Sequence, residues 1–176
     1  VLAGPMGNST VALLKNKAIK PGTVLVELLY VSEAIAPRHL QLGRYMPPTV
    51  IRCLLDQQGR DLADKVSFET LNAQLETVPR ASAAKFARSQ RDKLAELIRK
   101  ADDLIQPRHL EQVQLAQSLF NQTLKTEIER LMALQQINPN VRDEEIDLLR
   151  NHLAEGTLLL NKASIRLEAV RVLVAG

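Results

Sequence analysis

The chain has 176 residues, 45% of them hydrophobic and 24% charged, with a formal net charge of +3. That length supports one core or one composite domain with two subregions. No apolar run reaches the ~18 residues a membrane span needs, the start Val1-Leu2-Ala3-Gly4 is too short for a secretory signal, and the single Cys53 excludes an internal disulfide and suits a reducing cytoplasm.

The first residue is Val rather than Met, so the chain reads as a fragment or a processed product. "GPMGNS" (4–9) resembles a Gly-rich loop only superficially. No strand precedes it and no Lys-Ser/Thr pair follows, so an N-terminal turn suffices. Residues 1–80 form a β-rich subregion, with Val, Leu and Ile concentrated between Gly and Pro punctuation. "STVALLKN" (9–16) is a strand, "KAIKPG" (17–22) a connector, and "TVLVELLYVSEA" (23–34) is apolar on both faces, as a central strand would be. "HLQLGRYM" (39–46) alternates, with Leu40 and Leu42 on one face, and is expected as a further strand. "TVIRCLL" (49–55) resumes the pattern, with Cys53 as a small core hydrophobe, and "DQQGRD" (56–61) is a turn around Gly59. The short connections favour an antiparallel sheet.

Residues 81–176 form a helical subregion. From about Ser82 to Ile105, Phe86, Leu94, Leu97, Ile98 and Ala101 share one stripe. Pro107 then opens a second helix or kinks a continuous one, and a break is expected. The next helix carries Leu110, Val113, Phe120, Leu124, Ile128, Leu131 and Leu134, and ends near Ile137 because Asn138 precedes a proline. A hairpin turn falls at 138–142, with Asn140 as N-cap and Asp143 reaching back to it. In the last helix, Ile146, Leu149, Leu153, Gly156, Leu160, Ala163, Leu167, Val170 and Val174 recur at spacings of three and four, a heptad seam. Small Gly156 and Ala163 invite a bulky residue from a facing helix. An intramolecular hairpin satisfies the seam, as would packing on the sheet or against another chain. The fold class is therefore α+β: an N-terminal antiparallel sheet followed by long helices that include an antiparallel hairpin.

Chemistry-bearing patterns are few. His39, His109 and His152 lack metal-ligand spacing, although the last two could meet on neighbouring helices. Asp102-Asp103 reads as a solvated helix end, and Asp143, Glu144 and Glu145 as complements to a helix dipole. The charge feature that stands out is the run from Arg80 to Lys100. On a helix over 82–101, Lys85, Arg88 and Arg99 fall on one face with Arg80 and Arg91 near its edge. A solvated amphipathic face explains it, and so does a patch contacting phosphates or an acidic protein. With no Trp and few other aromatics, base stacking is poorly supported.

Longer word matches go further. "GNSTVALLKNKAIKPGTVLVELLYVSEAIAPRHLQLGRYMPPT" (7–49), "ALQQINPNVRDEEIDLL" (133–149) and "RLEAVRVLV" (166–174) resemble the C-terminal domain of the RapA (HepA) family. These are bacterial Swi/Snf-type ATPases that bind RNA polymerase and help it recycle during transcription. The resemblance spans nearly the whole chain and is weak over 82–125. Val50 stands where a proline is common after Pro47-Pro48-Thr49, which affects the local turn only.

The resemblance implies a parent that uses ATP and Mg, whose phosphate-binding loop, metal-binding acidic box and arginine fingers have no counterparts here. It implies a cytoplasmic bacterial protein, and for this stretch a non-catalytic module with no cofactor of its own. Its expected partners are core RNA polymerase and the parent's ATPase domains, with no membrane. The other reading is a module binding DNA or RNA through the basic helix, with Arg80, Lys85, Arg88, Arg91 and Arg99 as its contacts.

Overall fold

A computed structural model of the chain describes residues 2–4, 7–16 and 19–176. A strand, Leu2–Gly4, does precede the stretch over 4–9 where none was expected, and another begins at Gly7. Pro5 and Met6 there, and Lys17 and Ala18 in the connector over 17–22, lie outside the described residues. The fold is α+β. Its strands are β1 (Leu2–Gly4), β2 (Gly7–Leu14), β3 (Val24–Glu33), β4 (Thr49–Leu55), β5 (Leu75–Thr77) and β6 (Ser164–Ala175). They form one sheet in the order β1-β2-β6-β3-β4, with β5 also paired to β2.

The sheet is mixed. β1 and β5 run antiparallel to β2, the orientation expected, although about sixty residues separate β5 from β2. β6 instead runs parallel to β2, with Val11 opposite Val172. A parallel partner must return by a long crossover rather than a hairpin, and β6 comes from the far end of the chain. β3 lies between β6 and β4 and is buried along most of its length, consistent with its lack of alternation.

β6 corrects the expected last helix. That helix, α4 (Asp143–Asn161), keeps the seam from Ile146 to Leu160 and then stops. The residues at Leu167, Val170 and Val174 continue the heptad spacing only by coincidence. Ile165, Leu167 and Ala169 alternate with Arg166 and Glu168, and β-branched Val170, Val172 and Val174 follow, a composition that suits a pleated strand.

The strand expected at 39–46 is also absent. The segment forms two 3-10 turns, Arg38–Leu40 and Leu42–Arg44, joined by Gln41 at φ 49°, ψ 33°. That left-handed residue reverses the chain so that Leu40 and Leu42 enter the same cluster instead of lining one face of a strand.

α1 (Phe68–Asn72) is short and N-capped by Ser67, whose Oγ accepts from the Thr70 amide. The expected basic helix is divided into α2 (Arg80–Ser89) and α3 (Arg91–Gln135), with Gln90 outside helical geometry at φ −108°, ψ 11°. Just before it, the Ser89 hydroxyl donates to the Phe86 carbonyl at 2.8 Å, a local bond that competes with helix continuation. α3 instead runs through Pro107, where a break was expected. Proline cannot donate to the carbonyl four residues back. Asp103 and Pro107 are both exposed, so water can take that carbonyl.

α3 and α4 form the hairpin, with its turn at 136–142. The expected caps move by two residues. Asn138 Oδ1 accepts from the Asn140 amide, and the helix is capped at Arg142, whose amide meets Glu145 Oε1 at 3.5 Å. Gln135 Nε2 closes the turn on Asp143 Oδ1 at 2.7 Å.

Two compact units emerge, interleaved in sequence. The first comprises Val1–Val31, Val50–Pro107 and Arg166–Gly176, and the second Ser32–Thr49 and Arg108–Ile165. Leu14, Leu25, Leu54, Leu71 and Leu173 make a core in the first. In the second, Leu40, Leu42 and Met46 pack with Val113, Ala116 and Phe120 of α3 and Leu160 of α4.

Candidate interaction surfaces

The five cations singled out from the sequence are all exposed: Arg80, Lys85 and Arg88 on α2, Arg91 and Arg99 on α3. Because the helix is interrupted at Gln90, they do not share one continuous face. On α2, at about 100° per residue, Arg80 stands about 140° from Lys85 and about 80° from Arg88. Arg80 instead shares a side with Ala83, which lines a cleft with it, and with half-buried Ala87. α2 carries three cations and no carboxylate. Nearby, Lys100 is engaged by Glu96 at 3.1 Å, and its hydrogen bond and charge hold the Glu96 carboxyl below the usual range.

The cleft beside α2 encloses about 350 Å³ and is bounded by β2, β5 and α2. Val11, Leu75, Val78 and Ala83 give it apolar walls, with Arg80 among them. Thr10 and Val11 lie between the part of β2 that pairs with β1, ending at Ser9, and the part that pairs with β5, beginning at Ala12. The next residue past Val78 is Pro79, which has no N–H to extend the β5 ladder.

The same unit also holds a buried charge cluster that sequence reasoning missed. Glu27 is 1% exposed and accepts from Arg52 Nε at 2.7 Å and from Arg171 through both Nε, at 2.7 Å, and Nη2. Arg52 also donates to the carbonyls of Ala63 and Val66, and Arg171 to Asn72 Oδ1, while its guanidinium lies over the Phe68 ring at 5.4 Å. Both carboxylate oxygens are occupied by cations, so the cluster ties three strands to the 63–72 segment rather than offering a free acid or base. Its only signal in the sequence is a lone charge inside each of three apolar runs, "LVELL", "VIRCLL" and "VRVLV".

Tyr30 donates to Asp102 Oδ1 at 2.7 Å. Burial, and then the Asp102 hydrogen bond and charge, push its phenol well above the usual value, so it stays protonated. This gives Asp102 a structural partner that the reading of a solvated helix end missed. Cys53 is fully buried, as expected of a core hydrophobe.

In the second unit His109 does not meet His152. Its Nδ1 lies 2.8 Å from the Ser32 hydroxyl, and both residues are buried. Ser32 is 0% exposed, so the pair is closed to a substrate. His152 faces His39 instead, with ring centroids 5.3 Å apart, and His39 Nε2 is 3.5 Å from Glu155 Oε2. Among the described residues no group of three or more His, Cys, Asp or Glu is arranged to hold a metal ion, and no helix is long and apolar enough to cross a membrane.

The hairpin has a different outer surface. While Val113, Ala116 and Phe120 face inward on α3, Leu115 and Leu119, one turn apart, are 71% and 49% exposed. Met132, Ile137, Leu148 and Leu158 add further exposed apolar area on the hairpin.

Comparison with known proteins places these features in context. Residues 1–175 match the family described as RNA polymerase recycling family C-terminal. Over all 176 residues the chain is 58% identical to the RNA polymerase-associated protein RapA of Pseudomonas fluorescens, strain Pf0-1, and 60% identical to those of Pseudomonas putida, strain F1, and Pseudomonas aeruginosa, strain LESB58. It covers 19%, 19% and 18% of those proteins, so it spans under a fifth of the length of these relatives.

Proposed function

The chain belongs to the RNA polymerase recycling family, matching its C-terminal region, and from that premise we propose that it is a docking or scaffold module without catalysis of its own. The relatives bear the name RNA polymerase-associated protein, which makes core RNA polymerase the first partner to test. On this reading the chemistry, an ATP- and Mg-dependent Swi/Snf-type activity, belongs to the longer parent. The module packs against those ATPase domains or helps seat them on polymerase in the bacterial cytoplasm.

The observation that carries the docking reading is the apolar row at Leu115 and Leu119. Exposed leucines on adjacent turns of a well-formed helix are costly to leave in water and mark contact surfaces. The direct test is titration of the 176-residue chain against core RNA polymerase at two salt concentrations. Tight, salt-tolerant binding that is lost in a Leu115→Asp, Leu119→Asp variant is the expected result. Binding that is absent from the wild-type chain would sink the docking role and leave a scaffold for the parent. Hydrolysis of ATP by the purified chain would sink the non-catalytic reading.

A second reading, nucleic-acid binding, is favoured by the three cations and no carboxylate of α2. It requires affinity for duplex DNA or RNA that falls steeply with salt. Lys85→Glu with Arg88→Glu would abolish that affinity.

A further inference from the structure

We propose that the cleft between β2, β5 and α2 binds an acidic peptide segment, taking one carboxylate on Arg80 and one apolar side chain among Val11, Leu75, Val78 and Ala83. This goes beyond docking on the hairpin and does not depend on polymerase as the partner.

Charge selects the ligand. Among the described residues three charged side chains line the cleft: Arg80, Arg171 and Glu76. Arg171 is engaged by Glu27, a carboxylate it shares with Arg52, and Glu76 is paired with Lys15 at 2.5 Å. Among the described residues Arg80 remains as the exposed cation without such a counter-charge, on a helix that has no carboxylate. An exposed guanidinium with no carboxylate partner among the described residues, set beside apolar walls, matches one carboxylate next to an apolar anchor. A nucleic-acid backbone needs several cations along its path, whereas around α2 Lys85 points about 140° and Arg88 about 80° away from Arg80.

Shape agrees with this choice. A volume of about 350 Å³ falls at the lower end of ligand sites, ~300–1,000 Å³, enough for an anchor side chain and its neighbours rather than a folded domain. Thr10 and Val11 line it where β2 passes from pairing with β1 to pairing with β5.

The test uses the ¹⁵N-labelled chain and a synthetic ten-residue peptide of Asp, Glu and Leu, with a Lys-for-acid version and oligo-dT as comparisons. The acidic peptide should shift the amides of Thr10, Val11, Val78 and Ala83. Arg80→Glu should weaken it at least tenfold, and Ala83→Phe, which fills the cleft, should do the same. Lys85→Glu with Arg88→Glu should leave it unchanged. Arg80 is exposed, so its variant folds even if Ala83→Phe does not. The proposal is overturned if Arg80→Glu binds the peptide as the wild type does, or if the Lys85 and Arg88 variant loses as much. It is also overturned if oligo-dT or the Lys peptide shifts the same amides as strongly.

Discussion

The ring of Phe120 occupies the space that a side chain at Gly156 would need. A Cβ built on Gly156 would lie 2.2 Å from Phe120 Cζ and 2.5 Å from Cε1, well inside contact distance. Phe120 is buried and held edge-on against Tyr45 at 5.0 Å between centroids, so it has little freedom to yield. Gly156→Ala should therefore destabilise the hairpin unit, even though alanine is the better helix former. Overpacking costs about 1–3 kcal/mol and the propensity gain returns about 1, for a net loss of about 1 kcal/mol. Urea unfolding of the variant checks this, and adding Phe120→Leu should recover much of the loss. An unchanged or raised midpoint for Gly156→Ala alone would show that the two helices do not approach so closely.

Glu27 gives the largest expected single-residue effect. Removing one partner of a buried ion cluster leaves the other charges uncompensated, at about 3–5 kcal/mol. Glu27→Ala should fall in that range by equilibrium unfolding, with Glu27→Gln less severe because the amide oxygen can still accept from one arginine. On the surface, Glu127→Gln breaks a solvated pair with Arg130 and should leave the midpoint in place. Equal effects at the two sites would contradict the closed geometry around Glu27.

Asp56 links stability to acid. Burial alone would raise its carboxyl, but the Arg60 amide and guanidinium and the Gln58 amide together hold it below the usual range. A depressed folded-state pKa means the contribution is complete above the ordinary aspartate value, about 3.9. It is lost as pH falls from there through the folded value. Asp56→Asn should lower stability at neutral pH and flatten this acid limb in urea midpoints measured across the range. A variant whose midpoints run parallel to the wild type down the limb would remove Asp56 as its source.

What the sequence made legible follows from where its signals are local. "TVIRCLL" is β4 to the residue, the turn at Gly59 has the positive φ of 80° that its glycine permits, and the small residue at 156 does face a bulky partner. The first two are decided by neighbours within a turn or two, and the third by the hairpin that lays Phe120 of α3 against α4. Leu40 and Leu42 misled because an alternating pair looks the same on a strand and across a left-handed Gln41. The end of α4 misled because threes and fours can run on by chance into a strand whose own period is two. Glu27, Arg52 and Arg171 were out of reach for another reason. Their pairing exists only once β3, β4 and β6 lie side by side, with Glu27 and Arg171 separated by 144 positions. The five cations are exposed and stand in a charge run, but grouping them on one face rests on a single helix, and Gln90 divides it.

Pro107 offers a way to test the continuity of α3 directly. In a helix interior, proline is about 3 kcal/mol less favourable than alanine, whereas at the first position of a new helix it is well tolerated. Since α3 runs from Arg91 through Pro107 to Gln135, Pro107→Ala should restore the missing bond to the Asp103 carbonyl. Stability should then rise, by an amount up to about that difference, and amide exchange at residue 107 should be strongly protected. If a second helix instead began at Pro107, its amide would have no partner four residues back. The variant would then be neutral or slightly destabilising, with fast exchange at that position. The sign of the change therefore separates one long helix from two.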